Sequence, residues 1–154
     1  MSEAPGLKEL WRISRHRDLN GEGGLRAPGR WHLRGHPIVY LAETPAGALL
    51  ETCVHTSAND VPASFTLLRI AVAQGVSIES IDPTILARDW IAHVDVTREA
   101  GSTWLRSSRS ALLRVPSALV PETFNVLLNP LHRDAGLVQI ESAYAYPFDQ
   151  RIKK

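Results

Sequence analysis

What the sequence has little of narrows the field first. One cysteine, Cys53, occurs in 154 residues, so no internal disulfide can form, and no Cys/His spacing of the structural-zinc kind is present. Such usage fits a reducing cytoplasm. No apolar run approaches the roughly 18 residues of a membrane span. The opening Met1-Ser2-Glu3-Ala4-Pro5-Gly6 also lacks the basic start and apolar stretch of a secretory signal. The expectation is a protein neither exported by that route nor embedded in a membrane. Charge of one sign is missing too: the formal net charge is +1, which gives no reason to expect wholesale binding of nucleic acid or membrane. Repeats, low-complexity tracts and interdomain linkers are absent. So are a Gly-x-Ser-x-Gly elbow, a P-loop and a Rossmann glycine pattern, and Gly21-Glu22-Gly23-Gly24 follows no strand directly. Serine hydrolases and nucleotide-loop enzymes are thereby disfavoured.

What is present reads as one globular domain. Hydrophobic residues make up 44% and charged residues 21%, which argues against disorder and fibrous repeats, and the length suits a single core over about residues 7–148. Leu7 to Ser14 reads as a strand with Trp11 and Ile13 on one face and Leu10, Arg12 and Ser14 on the other. Arg15 to His36 is a long, glycine-rich and charged loop, of a length that is usually functional or disordered. Pro37 to Ala42 is a core strand carrying Tyr40. Thr44-Pro45 then caps a helix to about His55, with Ala46, Leu49, Leu50, Cys53 and Val54 as its apolar stripe. Strands follow at Ala63–Ala73 and Val76–Ile81. Short helices are expected at Thr84–Trp90 and Val96–Arg106, the latter turning Trp104 and Leu105 inward. Ala111–Val115, Asn125–Asn129 and Gly136–Ile140 complete the strands. The fold class is mixed α/β, in the α+β sense, with several strands and few helices.

Candidate chemistry concentrates at the front. Arg12, Arg15, Arg17, Arg26, Arg30 and Arg34 are offset only by Asp18 and Glu22, and arginine's planar fork suits the phosphate oxygens of a pyrophosphate ligand. A solvated basic loop is the plainer alternative. A strand arginine at position 12 needs water or an anion, or else a structural salt bridge. Glu51 falls about 130° from the centre of its helix's apolar stripe by the ~100° advance per residue, and alone reads as a solvated glutamate beside His55. His32 and His36 have i,i+4 spacing, but Gly35 and Pro37 argue against the helix a metal pair would need. No metal is expected. Cys53 lies on the apolar stripe, as an inert core thiol would.

Longer matches go further. Leu10-Trp11-Arg12-Ile13, Val39-Tyr40-Leu41-Ala42-Glu43-Thr44-Pro45 running into Ala48-Leu49-Leu50-Glu51, and Arg114-Val115-Pro116-Ser117 through Asn125-Val126-Leu127-Leu128-Asn129-Pro130-Leu131-His132 together resemble the RES domain. That family is named for an arginine, a glutamate and a serine, which here would be Arg12, Glu51 and Ser117. The resemblance implies a fold similar to ADP-ribosyltransferase toxins, with a split mixed sheet holding NAD⁺ in a cleft. It implies a toxin of a type II toxin–antitoxin pair that cleaves the nicotinamide–ribose bond, passing ADP-ribose to a protein acceptor or to water, with phosphorolysis as the alternative. The implied partner is an antitoxin with an Xre-like helix-turn-helix domain. By matched position, Arg12 and Arg30 would contact phosphate or ribose, Tyr40 would stack on nicotinamide and Glu51 would stabilise the ribosyl cation. Ser117 and Asn125 would complete the polar wall. Leu49-Leu50-Glu51 departs from the Gln/Glu-x-Glu of arginine-specific transferases, so arginine is not favoured as acceptor. Two other classes compete: a non-enzymatic module that binds RNA or an acidic protein through the basic face, and a metal-dependent hydrolase using His32, His36 and His132.

Overall fold

Apolar and β-branched residues, with polar ones alternating at the margins, build eight strands: β1 (Ser2–Glu3), β2 (Glu9–Ile13), β3 (Val39–Ala42), β4 (Ser64–Val72), β5 (Ile78–Ser80), β6 (Leu112–Pro116), β7 (Phe124–Leu128) and β8 (Val138–Pro147). They form one mixed sheet in the order β1-β5-β6-β7-β3-β2-β4-β8. The computed structural model describes residues 2–3 and 7–153. Three α-helices, α1 (Gly23–Arg26), α2 (Pro45–Val54) and α3 (Val94–Ser107), accompany the sheet. Among the described residues only β5 and β6 run parallel.

The sheet is nearly two sheets. β3 pairs with β7 from Val39↔Leu128 to Ala42↔Asn125, and β2 pairs with β4 from Glu9↔Ala71 to Ile13↔Leu67. Between these halves, β2 and β3 meet only at Trp11↔Ala42. Past that point, towards Ile13 and Tyr40, the ladder does not continue, and the gap becomes a cleft.

Alternation along the strands sends side chains to two cores. Leu10, Val39, Leu41, Leu68, Ile70, Leu112, Val126 and Leu128 form one. Leu113, Val115 and Leu127 point the other way, where Trp104 and Leu105 of α3 and Trp31 and Ile38 of the preceding loop cover them. The Trp104 indole is buried, and its Nε1–H donates to Ser110 Oγ at 2.9 Å, which satisfies a donor that burial would otherwise orphan.

Several expectations needed correction. The apolar stripe of α2 faces the core only in part: Cys53 is buried and Leu49 half-buried, but Leu50 is 40% and Val54 52% exposed, and the buried Ala48 lies outside the stripe. The small Ala48 lets the helix approach the sheet closely, and its i+3, i+4 and i+7 neighbours Glu51, Thr52 and His55 line the cleft with it. Thr84–Trp90 forms no α-helix. Pro83–Ile85 is a single 3-10 turn capped by Asp82, whose Oδ1 accepts from the Thr84 N–H at 2.9 Å, and a second such turn spans Trp90–Ala92. The last strand runs on to Pro147 along β4, past a register shift at Arg69/Ile70.

Candidate functional site

The cleft at the split measures about 570 Å³, within the usual range for small-molecule sites. Each wall comes from a different element. β2 contributes Arg12, β3 contributes Tyr40, α2 contributes Glu51, β7 contributes Asn125, and the loop before β3 contributes Gly29, Arg30 and His32. Five of the six residues singled out from the sequence, Arg12, Arg30, Tyr40, Glu51 and Asn125, thus line one space.

The sixth, Ser117, stands behind the wall. It is buried, its hydroxyl lies 3.4 Å from Glu51 Oε1, and it accepts from the Leu119 N–H at 3.0 Å. Asn125 Nδ2 donates to the same carboxylate oxygen at 3.0 Å. Glu51 is therefore held on one oxygen while its helix turns it towards the cleft. The start of α2 is fixed as well. Thr44 Oγ1 accepts from the Gly47 N–H at 2.9 Å, the expected N-cap. Arg114 of β6 grips Glu43 with two hydrogen bonds of 2.7 and 3.2 Å and stacks over Phe124 at 3.6 Å. This clamp joins β6, β7 and the end of β3, the three strands that position Ser117, Asn125 and Glu51 relative to one another.

Arg12 is a desolvated cation. Its guanidinium donates to the Asp18 carbonyl at 3.3 Å, and burial lowers its pKa against the opposing pull of the Asp18 charge. A half-buried guanidinium with so little compensation favours an anionic ligand. Arg30 is more committed: it donates to the Ile91 carbonyl at 2.9 Å. Burial pushes the Tyr40 phenol up to about 12, so it stays protonated.

Sequence reasoning missed what holds the loop before β3. Arg98 Nε donates to the Gly29 carbonyl at 2.8 Å, Thr97 Oγ1 to the Arg30 carbonyl at 2.5 Å, and Ser102 Oγ accepts from the Leu33 N–H at 2.9 Å. Gly101 lets the chains meet, since a β-carbon there would collide with the Trp31 carbonyl. The polar Thr97-Arg98 and Gly101-Ser102 on the inner side of α3 were the available signal. The stretch from Arg15 to His36 is consequently ordered, with α1 and a Gly29↔His32 bridge inside it. Among the described residues no three His, Cys, Asp or Glu side chains group together. No described helix is long and apolar enough to cross a membrane.

Comparison with known proteins gives concordant results. Residues 9–149 match the model of the RES domain. A Pseudomonas putida protein named Toxin Res is 43% identical over 134 residues, which span 86% of this chain and 91% of that one. A Sphingobium protein named Prs ADP-ribosylating toxin is 39% identical over 139 residues, spanning 88% and 86%. A chain from the crystal structure of the M. tuberculosis MbcT–MbcA toxin–antitoxin complex aligns with a TM-score of 0.73 at 19% identity, covering 95% of this chain and 86% of that one. At that identity the likeness is one of fold.

Proposed function

Because this chain belongs to the RES-domain family, we propose that it is the toxin of a toxin–antitoxin pair and that its cleft binds NAD⁺ as substrate and breaks the nicotinamide–ribose bond. The observation that carries this reading is the convergence of a desolvated arginine, a protonated tyrosine and a hydrogen-bonded glutamate around one cleft. Those groups match the needs of the bond. When C1′–N cleaves, its electron pair leaves with nicotinamide and neutralises the pyridinium, while positive charge develops on the ribose as an oxocarbenium-like cation. Glu51 stabilises that cation, an electrostatic task for which a pre-oriented carboxylate in a cleft is suited. Arg12, assisted by Arg30, holds the pyrophosphate still. Tyr40 offers its ring to nicotinamide, and Asn125 and Ser117 keep Glu51 in position.

The cation is then captured at C1′ by a nucleophile that gives up a proton: a protein side chain or water, with orthophosphate as the alternative acceptor. The Sphingobium relative is named for ADP-ribosylation, which favours a protein acceptor. Leu49 stands where arginine-specific transferases carry an acidic or amide residue, so arginine is not favoured as that acceptor. The MbcT chain is found in complex with an antitoxin, and the partner proposed here is likewise an antitoxin, with an Xre-like helix-turn-helix domain and a shared cytoplasmic location.

The test is NAD⁺ loss on adding the purified chain, beside its Glu51→Ala variant, followed by mass spectrometry of small molecules and total protein. Nicotinamide release by the parent alone supports the reading, and the mass of the second product names the acceptor. Intact NAD⁺ with phosphate and cell extract supplied refutes it.

A further inference from the structure

The Tyr40 hydroxyl is already engaged, and the direction of each hydrogen bond follows from its neighbours. The Gly29 N–H is shared between the His32 carbonyl at 3.2 Å and His32 Nδ1 at 3.1 Å; a proton on Nδ1 would point against that N–H, which favours the tautomer with Nδ1 unprotonated. The 2.7 Å contact between His32 Nδ1 and the Tyr40 hydroxyl is then a bond that the tyrosine donates. The Trp31 N–H donates in turn to the hydroxyl oxygen at 3.1 Å. Tyr40 is thus held as donor by a side chain and as acceptor by the backbone, which fixes both its position and its rotation.

His32 is built for this task. It is only 3% exposed, and burial, aided by the facing Arg98 and His36, lowers its pKa against the opposing pull of the Gly24 and Ala27 backbone, which favours the neutral imidazole that can accept at Nδ1. The rings lie 5.6 Å apart at 51°, so His32 supports Tyr40 from its hydroxyl end without stacking on it. Gly29 passes so close that a β-carbon there would collide with the Tyr40 hydroxyl. The remaining nitrogen, Nε2, is buried beside the Gly24 and Ala27 backbone without a hydrogen bond of good geometry. Holding that buried group in place costs stability, and an apolar residue at position 32 would avoid the cost.

We propose that His32 is a positioning residue whose Nδ1 holds the Tyr40 hydroxyl and thereby sets the plane of the ring against which nicotinamide stacks. This rests on the role given to Tyr40 above.

The test is a double-mutant cycle with a rescue. His32→Leu and Tyr40→Phe each remove one side of the hydrogen bond, and His32→Asn restores an acceptor near the position of Nδ1. Nicotinamide release and KM are measured for the single and double variants, with thermal melts to establish folding. Nitrogen NMR of the imidazole reads the bond without catalysis. Loss of one buried hydrogen bond predicts roughly a five- to tenfold fall in kcat for each single variant. The double variant should be no worse, His32→Asn should stay within about twofold of the parent, and the His32 Nδ1 resonance should shift in Tyr40→Phe. Multiplicative losses, or a folded His32→Asn as impaired as His32→Leu, overturn the proposal while leaving the proposed reaction intact. A parent chain that releases no nicotinamide, with the NMR shift present, overturns the reaction and with it the role of the ring.

Discussion

Asn125 and Ser117 both touch Glu51, yet removing them should have opposite consequences, because their other partners differ. The Ser117 hydroxyl also accepts from the backbone N–H groups of Leu119 and Val120, at 3.0 and 3.4 Å, and the residue is 7% exposed. Ser117→Ala leaves those donors without their acceptor, at about 1–3 kcal/mol. For a chain of this size that is a fall in Tm of roughly 3–10 °C. Its own contact with Glu51, at 3.4 Å, is at the limit of a hydrogen bond, so the rate should fall only a few-fold. Asn125 Nδ2 instead makes the tighter 3.0 Å bond to Glu51 and lines the cleft. Water replaces the amide in Asn125→Ala, so stability should change by about 1 kcal/mol or less. Glu51, however, gains rotational freedom, and a carboxylate misplaced by about 1 Å costs on the order of 10²-fold in rate. The assay pairs thermal melts with nicotinamide release at saturating NAD⁺. If Asn125→Ala melts as low as Ser117→Ala and retains the parent rate, the assignment of Asn125 to orientation and Ser117 to support is wrong.

Three further outcomes follow from the packing and from the charges. Leu113→Ala empties a fully buried position and should cost about 2–5 kcal/mol, whereas Leu50→Ala, at a 40% exposed site, should cost about 0.5 kcal/mol; urea midpoints at constant m compare them. Gly101→Ala forces a β-carbon into the Trp31 carbonyl and should destabilise by about 1–3 kcal/mol, and unchanged melting would show that α3 does not grip the loop. The His32 pKa is depressed below 6.5, so between that value and its folded pKa the unfolded chain binds the extra proton. Its stabilising contribution is complete above pH 6.5 and declines as pH falls below it; the slope of unfolding free energy against pH from 6.5 downwards should be smaller in His32→Asn than in the parent, and equal slopes would count against a buried neutral imidazole.

The elements legible in the sequence were those whose signals are local. Thr44-Pro45 marks the start of α2 by side-chain capping and fixed φ, and the apolar run around Leu10 marks β2, whose Leu10 is buried. Periodicity failed on α2 for a physical reason. It counts apolar residues, and two of them, Leu50 and Val54, are exposed, while Ala48 and Thr52 allow the close approach and Glu51 takes the cleft side. The end of β8 was illegible because Ala143, Tyr144 and Ala145 show no burial alternation of their own, and their register is supplied by β4.

The site depends on a still longer-range fact. Tyr40 must face away from Val39 and Leu41 by the two-residue period of a strand, but that period does not say which face opens on a cleft. The sheet order decides it: β3 lies between β7, nearly ninety positions later by number, and β2, nearly thirty earlier, and it holds β2 at Trp11↔Ala42 alone. Had the ladder continued to Ile13 and Tyr40, the strands would have closed over the space that Arg12, Tyr40 and Glu51 now share. The incomplete pairing of two short strands is what turns three dispersed residues into one site, and it explains why the loop carrying His32 must be fastened to α3: no sheet edge is available there to fix Tyr40 from the side.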